Sequence, residues 1–333
     1  MKLRCDAVFE GGGIKGIGFA GAITALENAG YVFENVVGTS AGAIAASLVA
    51  AGYSGREIER ELTLVDYTKF REEPHCGKLG SAVNLLANYG LYKTDYFESW
   101  LQELLLKKGK RVFGDICTNN KDKKYCYRFQ AIASDISAQK MLVLPKDLIQ
   151  FGINPDEFPI ARAVQMSMSI PFYYEPFALK DRQGNVHLIV DGGLLSGYPM
   201  WVLDDDTNNP PWPTFGLKFT SPGDLRPGQI VGTPNLLEYG KSIVSTMLEA
   251  HDKYHVSHTK GDYQRSILIP TFVQTSSGPK IIRATDFDIS REESNALFQN
   301  GKSAAENFLR HWDFYQWKKL FRRGTASISA SIR

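Results

Sequence analysis

A serine that could act as a nucleophile lies in a run of small residues near the start of the chain. The motif Gly38-Thr39-Ser40-Ala41-Gly42 follows two β-branched valines and precedes the apolar, alanine-rich run AIAASLVAA. It matches the pattern G-x-S-x-G, in which a sharp strand-to-helix turn exposes a serine hydroxyl at its apex. A helix N-terminus also favours a developing alkoxide. The motif predicts Ser40 as a nucleophile on an elbow formed with Gly38 and Gly42, although a tight turn with an incidental serine has the same spacing.

A glycine-rich loop precedes this motif. The sequence Gly11-Gly12-Gly13-Ile14-Lys15-Gly16 connects a predicted strand at residues 7–9 with a predicted helix that Gly30 would end. Such a loop presents backbone N–H groups to an anion or an oxyanion. Gly11, Gly13 and Gly16 satisfy the dinucleotide fingerprint G-x-G-x-x-G, which also requires an acidic residue at the end of the second strand. That strand ends in the serine motif, with Glu34 at its beginning.

An oxyanion hole is the alternative role for this loop, with the N–H groups of Gly12 and Gly13 directed at the carbonyl that Ser40 attacks. Consecutive strands of a βαβ unit are usually parallel neighbours, so their carboxyl ends lie side by side. The loop and the serine would then share one crevice. We favour the oxyanion hole over the dinucleotide site for this reason.

An acidic residue follows a later strand. The apolar run HLIV at residues 187–190 leads directly into Asp191-Gly192-Gly193, and we expect this strand to end at the same edge of the sheet as Ser40. The two glycines would let the chain leave sharply, so that the carboxylate faces the crevice. Taken alone, an Asp-Gly turn explains the motif equally well. A second acid, Asp135, lies between two predicted strands and is interpreted as a residue that closes a turn.

Together, the motifs GGGIKG, GTSAG and DGG resemble those of the patatin-like phospholipase family, in the family's order. The resemblance covers at least residues 5–200 and includes the segment AVQMSMSIPFYYEP. It implies an α/β fold, a three-layer α/β/α sandwich with a mainly parallel central sheet. Family members commonly carry Asn six residues after the aspartate, where this chain has Gly197, and we expect this difference to loosen the loop that follows Asp191.

The resemblance also assigns roles to the residues of the three motifs. It implies a catalytic dyad of Ser40 and Asp191 that uses no histidine, with Gly192 and Gly193 in the dyad loop. The oxyanion loop would comprise Gly11, Gly12, Gly13, Lys15 and Gly16.

The order of the histidines agrees with a dyad. An α/β-hydrolase triad runs Ser, then Asp or Glu, then His, whereas His187 precedes Asp191 and would lie at the wrong end of its strand. His251, His255 and His258 fall in a helix-like stretch without an H-E-x-x-H motif, which favours a solvated helix face over a metal site. We therefore predict neither a metal nor a cofactor.

Composition limits the class of protein. The chain has 333 residues, 43% of them apolar and 22% charged, with a net charge of +2 and no dense Lys/Arg stripe that would suggest nucleic-acid binding. The sequence shows no secretory or transmembrane run, which predicts a cytoplasmic protein that could dock on a membrane surface. We expect a single domain over residues 1–333, with the catalytic core at about 5–200 and an extension of the same fold at about 212–333. The four cysteines, Cys5, Cys76, Cys117 and Cys126, form no C-x-x-C pair.

Other segments have two interpretations each. Residues 56–110 are predicted to be mainly helical, with a capping box at Ser54, and the part up to residue 97 is either a surface excursion or a lid. A helix is predicted from residue 160 until Pro171 stops it, with Met166 and Met168 as core residues. The segment DFYQWKKLFRRG near the end is either a packed helix or an amphipathic contact with anionic lipid.

These observations predict a serine lipid acyl hydrolase of the phospholipase A or lysophospholipase type. It would release fatty acid from glycerolipid esters through an acyl-enzyme on Ser40, with a lipid or another acyl ester as substrate. The alternative is a non-catalytic module that binds a dinucleotide or a lipid and retains a decayed site.

Overall fold

The fold is built on a central sheet whose strands alternate with helices in the first part of the chain. The computed structural model describes residues 2–70, 84–85, 87–118, 120, 122–205, 207, 209–220, 261–284, 286 and 288–322. The strands are β1 (Leu3–Phe9), β2 (Tyr31–Thr39), β3 (Gly90–Tyr92), β4 (Phe129–Asp135), β5 (Lys140–Leu144), β6 (Phe172–Tyr174), β7 (Phe177–Lys180), β8 (Val186–Asp191), β9 (Thr214–Thr220), β10 (Ser266–Pro270), β11 (Phe272–Thr275) and β12 (Gly278–Ile281). The helices are α1 (Ile17–Asn28), α2 (Ala41–Ala51), α3 (Gly55–Leu64), α4 (Asp95–Lys107), α5 (Ile160–Met168), α6 (Gly193–Ser196), α7 (Arg291–His311) and α8 (Phe314–Phe321).

The central sheet is mainly parallel. Its strands follow the order β10-β9-β1-β2-β4-β8-β7, and β5 also pairs with β4. The five strands from β10 to β4 run parallel to one another, whereas β5, β7 and β8 join by antiparallel pairing. The inner strands are buried along most of their length, as expected for a parallel sheet covered on both faces. The predicted α/β fold with a mainly parallel central sheet is confirmed.

The strand β8 runs in the direction opposite to β2. Ile132 of β4 pairs with Thr39 of β2 and with Val143 of β5, so β2 and β5 lie on opposite sides of β4. The next residue, Ala133, pairs with β5 and also with Asp191 of β8. Since β5 occupies one side throughout, β2 and β8 share the other side and meet there at their carboxyl ends.

Asp191 lies beside Ser40 for a different reason from the one that the sequence predicts. The sequence suggested a further strand ending at the same edge as β2, as it would in a parallel sheet. Instead β8 is antiparallel to β4 and ends where β2 ends, one β4 residue further along. Asp191 and Ser40 are therefore neighbours because two strands converge head to head.

Described helices cover one face of the sheet. They pack on a core that includes Phe9, Phe19, Leu48, Phe129 and Phe298. On the other face, a segment with Tyr198, Met200 and Leu203 covers the inner strand residues Val8, Val37 and Ile132. Within the described part of the chain, no helix is both long enough and apolar enough to cross a membrane.

Several local predictions can be compared with the structure. The capping box of Ser54 and Glu57 opens α3 as predicted, and Gly30, with φ of +89°, follows the end of α1. The helix predicted to reach Pro171 is shorter, since α5 ends at Met168. A proline disfavours helical geometry at the residue that precedes it. Here β6 begins at the residue after Pro171.

The two segments with alternative interpretations are described only in part. Residues 71–83, the middle of the predicted lid, lie outside the described residues, as do His251, His255 and His258, so the lid stays a prediction. Near the chain end, α8 is a packed helix with Trp317 buried, while Tyr315 and Leu320 are exposed. The described part of the tail thus fits the packed-helix alternative, and the lipid contact stays a prediction.

Candidate active site

Ser40 lies at the turn between β2 and α2. Its φ of 55° and ψ of −124° belong to a conformation that non-glycine residues rarely adopt, as expected for a strained nucleophile elbow. The carbonyl of Ser40 accepts the first N–H bonds of α2, from Ala43 at 2.9 Å and Ile44 at 3.3 Å. The hydroxyl therefore sits at the N-terminus of a buried helix, and the residue as a whole is 8% exposed.

The elbow depends on the two glycines that flank the serine. A Cβ at Gly38 would lie 2.2 Å from the backbone of Gly42, and a Cβ at Gly42 would lie 2.2 Å from the carbonyl oxygen of Phe9. Real Cβ atoms never approach so closely, so neither position accepts a side chain. The predicted elbow glycines are thus placed where the tight turn needs them.

Asp191 is brought into hydrogen-bond contact with Ser40. The Ser40 hydroxyl bonds to its carboxylate, and the N–H of Gly193 donates to Oδ1 at 2.7 Å. The Asp191 N–H donates to the carbonyl of Ser169 at 2.8 Å, and that of Gly192 donates to the carbonyl of Ser167 at 3.3 Å. The short turn over Gly192 and Gly193 is therefore fixed by the end of α5.

Burial raises the pKa of Asp191 to about 6, and the hydrogen bonds from Ser40 and Gly193 offset only part of that rise. Within the described part of the chain, Asp191 forms no ion pair that would lower its pKa further. A carboxylate with this pKa is ionised at neutral pH and still basic enough to accept a proton from a hydroxyl that attacks an ester.

The glycine-rich loop lies directly beside the serine. A Cβ at Gly11 would be 3.6 Å from the Cβ of Ser40, which is ordinary contact distance. Gly11 donates its N–H to the carbonyl of Gly197 at 2.9 Å, and Ile14 donates to the carbonyl of Ala284 at 3.0 Å. Neither contact uses the N–H of Gly12 or Gly13, so both remain candidates for an oxyanion hole.

Lys15 and Gly16, the last residues of the loop, contact Phe219 and Ala41. The Lys15 Nζ lies 4.8 Å from the centre of the Phe219 ring, a cation–π contact, and Gly16 leads into α1 beside Ala41. Lys15 thus lies against an aromatic ring. Gly197, at the position where the family commonly has Asn, ties the dyad loop to Gly11 through its carbonyl.

The site includes two further side chains, Ser167 and Thr39, that the sequence analysis does not predict. Ser167 accepts the N–H of Ser40 at 3.0 Å and donates its own hydroxyl to the carbonyl of Ile132 at 2.5 Å. Thr39 donates its hydroxyl to the carbonyl of Ser196. The sequence places Ser167 in a predicted helix between two methionines interpreted as core residues. A serine beside a predicted active-site strand was the available signal.

Asp135 and His187 bind each other beside a separate turn. Asp135 accepts the N–H groups of Ser137 and Ala138, which confirms its predicted role in the turn. It also binds Nδ1 of His187 at 2.7 Å, while Nε2 of that ring lies 3.5 Å from Asp181. The described residues contain no group of three or more acids, cysteines and histidines that could hold a metal ion.

The dinucleotide interpretation finds no ribose-binding acid. The strand β2 ends at Thr39, whose hydroxyl is bound to Ser196, and Glu34 pairs with Arg4 at 2.6 Å on the surface. A Rossmann site requires a carboxylate at that strand end. What the residues at this edge do provide is a hydroxyl, a buried carboxylate and adjacent N–H donors, the parts of an acyl-transfer site.

Comparisons with known proteins show what this chain is similar to. The protein YqhO of Bacillus subtilis (strain 168) is 37% identical over 312 residues, which cover 93% of this chain and 99% of YqhO. The protein R571 of Acanthamoeba polyphaga mimivirus is 24% identical over 311 residues, covering 92% of this chain and 94% of R571. The crystal structure of VipD from Legionella pneumophila superposes with a TM-score of 0.52 at 16% identity, over 92% of this chain and 66% of VipD. This likeness concerns the fold, and the chain spans about two thirds of the length of VipD.

The sequence model of the patatin-like phospholipase family matches residues 7–204. This range contains the glycine-rich loop, the serine elbow and the aspartate turn, and it amounts to more than half of the chain. The chain therefore belongs to the patatin-like phospholipase family of lipid hydrolases.

Proposed function

We propose that this protein is a serine acyl hydrolase that releases fatty acids from glycerolipid esters through a dyad of Ser40 and Asp191. The observation that carries the proposal is the hydrogen bond between the Ser40 hydroxyl and a buried carboxylate whose pKa is raised to about 6. A hydroxyl is a weak nucleophile unless an adjacent base takes its proton. Asp191 is such a base, in direct contact.

In the first step, Ser40 Oγ attacks the ester carbonyl carbon as Asp191 accepts the hydroxyl proton. The carbonyl oxygen becomes an oxyanion, and the N–H groups of Gly12 and Gly13 stabilise its charge. One such donor is worth about 3 kcal/mol in the transition state. The tetrahedral intermediate then collapses, the bond to the alcohol oxygen breaks, and Asp191 returns its proton to the leaving alkoxide.

In the second step, water replaces the alcohol. Asp191 takes a proton from the water as its oxygen attacks the acyl-enzyme carbonyl, and the same N–H groups hold the second oxyanion. Collapse breaks the bond to Ser40 Oγ, which recovers the proton from Asp191, and the fatty acid leaves. One residue thus acts as base and then as acid in each step, as general acid–base catalysis requires.

Family membership supports a lipid as the substrate, and the dyad supports an ester as the bond that is cleaved. A phospholipid cleaved at an acyl ester, or a lysophospholipid, combines the two. Release of fatty acid from such lipids is therefore the activity to measure.

The experiment compares fatty-acid release from mixed phospholipid vesicles by the wild type, Ser40→Ala and Ser47→Ala. Ser47 is the matched control, since it is a buried serine on the same helix whose hydroxyl bonds to the carbonyl of Ile44. We expect Ser40→Ala to lose activity by about 10⁴-fold or more and Ser47→Ala to keep it. A wild type that binds vesicles but releases no fatty acid would instead support the non-catalytic lipid-binding module.

A further inference from the structure

The glycine-rich loop is held by residues that lie beyond the segment matched by the family. The family match ends at residue 204, whereas β9 and the segment after β12 both contact the loop. Glu10, the residue immediately before the three glycines, accepts the N–H of Phe219 at 2.6 Å and pairs with Lys218. The start of the loop is therefore fixed to β9.

The ring of Phe219 lies against the loop itself. A Cβ at Gly12 would be 2.5 Å from this ring, so the glycine backbone rests directly on it. The same ring contacts Lys15 by the cation–π interaction, and its centre lies 4.4 Å from that of the tilted ring of Phe19 on α1. Phe219 is 6% exposed and thus has little room to move away. It therefore contacts both Gly12 and Lys15.

Ala284 holds the other half of the loop. Its carbonyl accepts the N–H of Ile14 at 3.0 Å and lies so close to Gly13 that a Cβ there would be 2.0 Å from it. Gly13 has a φ of +57°, a conformation that glycine adopts without strain. The backbone hydrogen bonds given for the described loop use the N–H groups of Gly11, Ile14 and Lys15, and those of Gly12 and Gly13 are not among these donors.

We infer that Phe219 and Ala284 are positioning residues for the oxyanion hole, and that the C-terminal third of the chain completes the catalytic site. Neither residue touches the reacting atoms. They fix the backbone of Gly12 and Gly13 relative to Ser40, one through a ring and the other through a carbonyl. This inference rests on the proposed function and adds to it the part of the chain that the family match does not cover.

The test compares Phe219→Leu with Phe215→Leu. Phe215 lies on the same strand and the same face, is fully buried, and contacts Tyr31, Phe308 and Trp312 rather than the loop. Both changes remove the same ring from the same core, so both should lower the melting temperature to a similar extent. Only Phe219→Leu removes the support of Gly12. Phe219→Met provides a second variant with nearly conserved volume if the first does not fold.

The measured quantities are kcat and KM for fatty-acid release, with the concentration of active sites counted by a fluorophosphonate. An oxyanion hole acts on the transition state and not on the bound substrate, so its displacement lowers kcat and leaves KM unchanged. We expect Phe219→Leu to lower kcat by about 10- to 100-fold, since small misplacements of catalytic groups have effects of this size. For Phe215→Leu we expect kcat per active site within about twofold of the wild type, because the loop keeps its support.

Two results would contradict the inference in different ways. If the wild type is active and Phe219→Leu matches Phe215→Leu in kcat per active site, Phe219 has only a packing role and the inference fails while the proposed function stands. If the wild type neither reacts with the fluorophosphonate nor releases fatty acid, the proposed function fails and the inference with it.

Discussion

Two aspartates close to each other in the sequence, Asp191 and Asp204, are buried in opposite ways. Asp191 is 3% exposed and Asp204 is 2% exposed, so both carboxyl groups have lost nearly all their water. The Asp191 carboxylate receives hydrogen bonds from a serine hydroxyl and a backbone N–H. The Asp204 carboxylate instead pairs with the guanidinium groups of Arg265, at 2.9 Å, and Arg322.

The pairing of Asp204 extends into a network that joins the chain end to the sheet. Arg265 also binds Asp262, at 2.5 Å, and is only 2% exposed. The ring of Trp317 on α8 contacts both arginines, with its centre 5.2 Å from the guanidinium carbon of Arg265 and 4.7 Å from that of Arg322. Every charge in this cluster therefore has a partner of opposite sign.

The difference shows how the surroundings of a buried aspartate decide its role. A buried carboxylate with cationic partners has its charge compensated and acts in structure. Without such partners the charged form is disfavoured, the pKa rises, and the group becomes a base. The Asp191 carboxylate is thus more basic, and its buried charge lowers the folding stability. In the cluster around Asp204, ion pairs compensate the buried charges.

The largest expected effect comes from Asp191→Asn. This change removes the base while keeping the size of the side chain, so we expect kcat to fall by about 10⁴-fold, as for the loss of a catalytic aspartate elsewhere. It also removes a charge that is unfavourable when buried, so we expect the free energy of unfolding at pH 8 to rise by about 2–3 kcal/mol. The measurements are fatty-acid release and urea unfolding.

The pH dependence of that stability gain checks its cause. Because the pKa of Asp191 in the folded state is raised to about 6, the ionised group destabilises the fold most above that pH. Below pH 6 the Asp191 carboxylate of the folded state takes up a proton. The destabilisation then shrinks until the carboxylate of the unfolded state is protonated as well, near pH 4. The stabilisation by Asp191→Asn should therefore disappear as the pH falls from 6 to 4. A gain that is independent of pH would show that the charge is not responsible.

The second prediction concerns the ion-paired cluster around Asp204, where we expect the free energy of unfolding to fall. Arg265→Met leaves Asp204 and Asp262 with less compensating charge in a buried site, and we expect it to lower the free energy of unfolding by about 3–5 kcal/mol. Since the cluster is not part of the dyad, kcat per active site should stay unchanged.

Lys280→Met provides the comparison for Arg265→Met, because Lys280 pairs with Glu293 while remaining about half exposed. An exposed pair of this kind contributes less than about 1 kcal/mol. Equal losses in the two variants would show that burial does not distinguish these ion pairs.

A smaller effect on kcat than that of Asp191→Asn is expected from Ser167→Ala, which sharpens the comparison at the dyad. Ser167 links the N–H of Ser40 to the carbonyl of Ile132, so its loss leaves a buried donor unpaired and the elbow less firmly held. We expect about tenfold lower kcat and about 1–3 kcal/mol lower stability. Ser47→Ala again serves as the buried-serine control, and equal kcat values in the two variants would remove Ser167 from the site.

Much of the site could be predicted because its chemistry lies in short contiguous motifs. Glycines around a serine and after a strand restrict the backbone to very few conformations, so Ser40, Gly13 and the turn after Asp191 could be located from the sequence. The direction of β8 could not, since the run HLIV has the same pattern in a parallel or an antiparallel strand. The short reach of α5 was also missed, because an apolar run before a proline has helical composition even where the helix has ended.

The supports of the site were missed for a different physical reason. Phe219 and Ala284 have no local feature that marks them. Phe219 meets the glycine-rich loop because β9 joins the sheet beside β1, and Ala284 meets it from the segment after β12. Ser167 lies in a helix, where a serine usually has no particular role. Long-range packing creates these contacts, and a sequence pattern describes only near neighbours along the chain.

The most direct test of the central claim is the rate at which a fluorophosphonate modifies Ser40 as a function of pH, in the wild type and in Asp191→Asn, with the modified peptide identified by mass spectrometry. If Asp191 activates Ser40, the wild-type rate will rise with pH, level off above about 6, and place the label on Ser40. The rate in Asp191→Asn will be far lower and will show no inflection near that pH. Equal rates in the two proteins, or a label on another residue, would contradict the dyad.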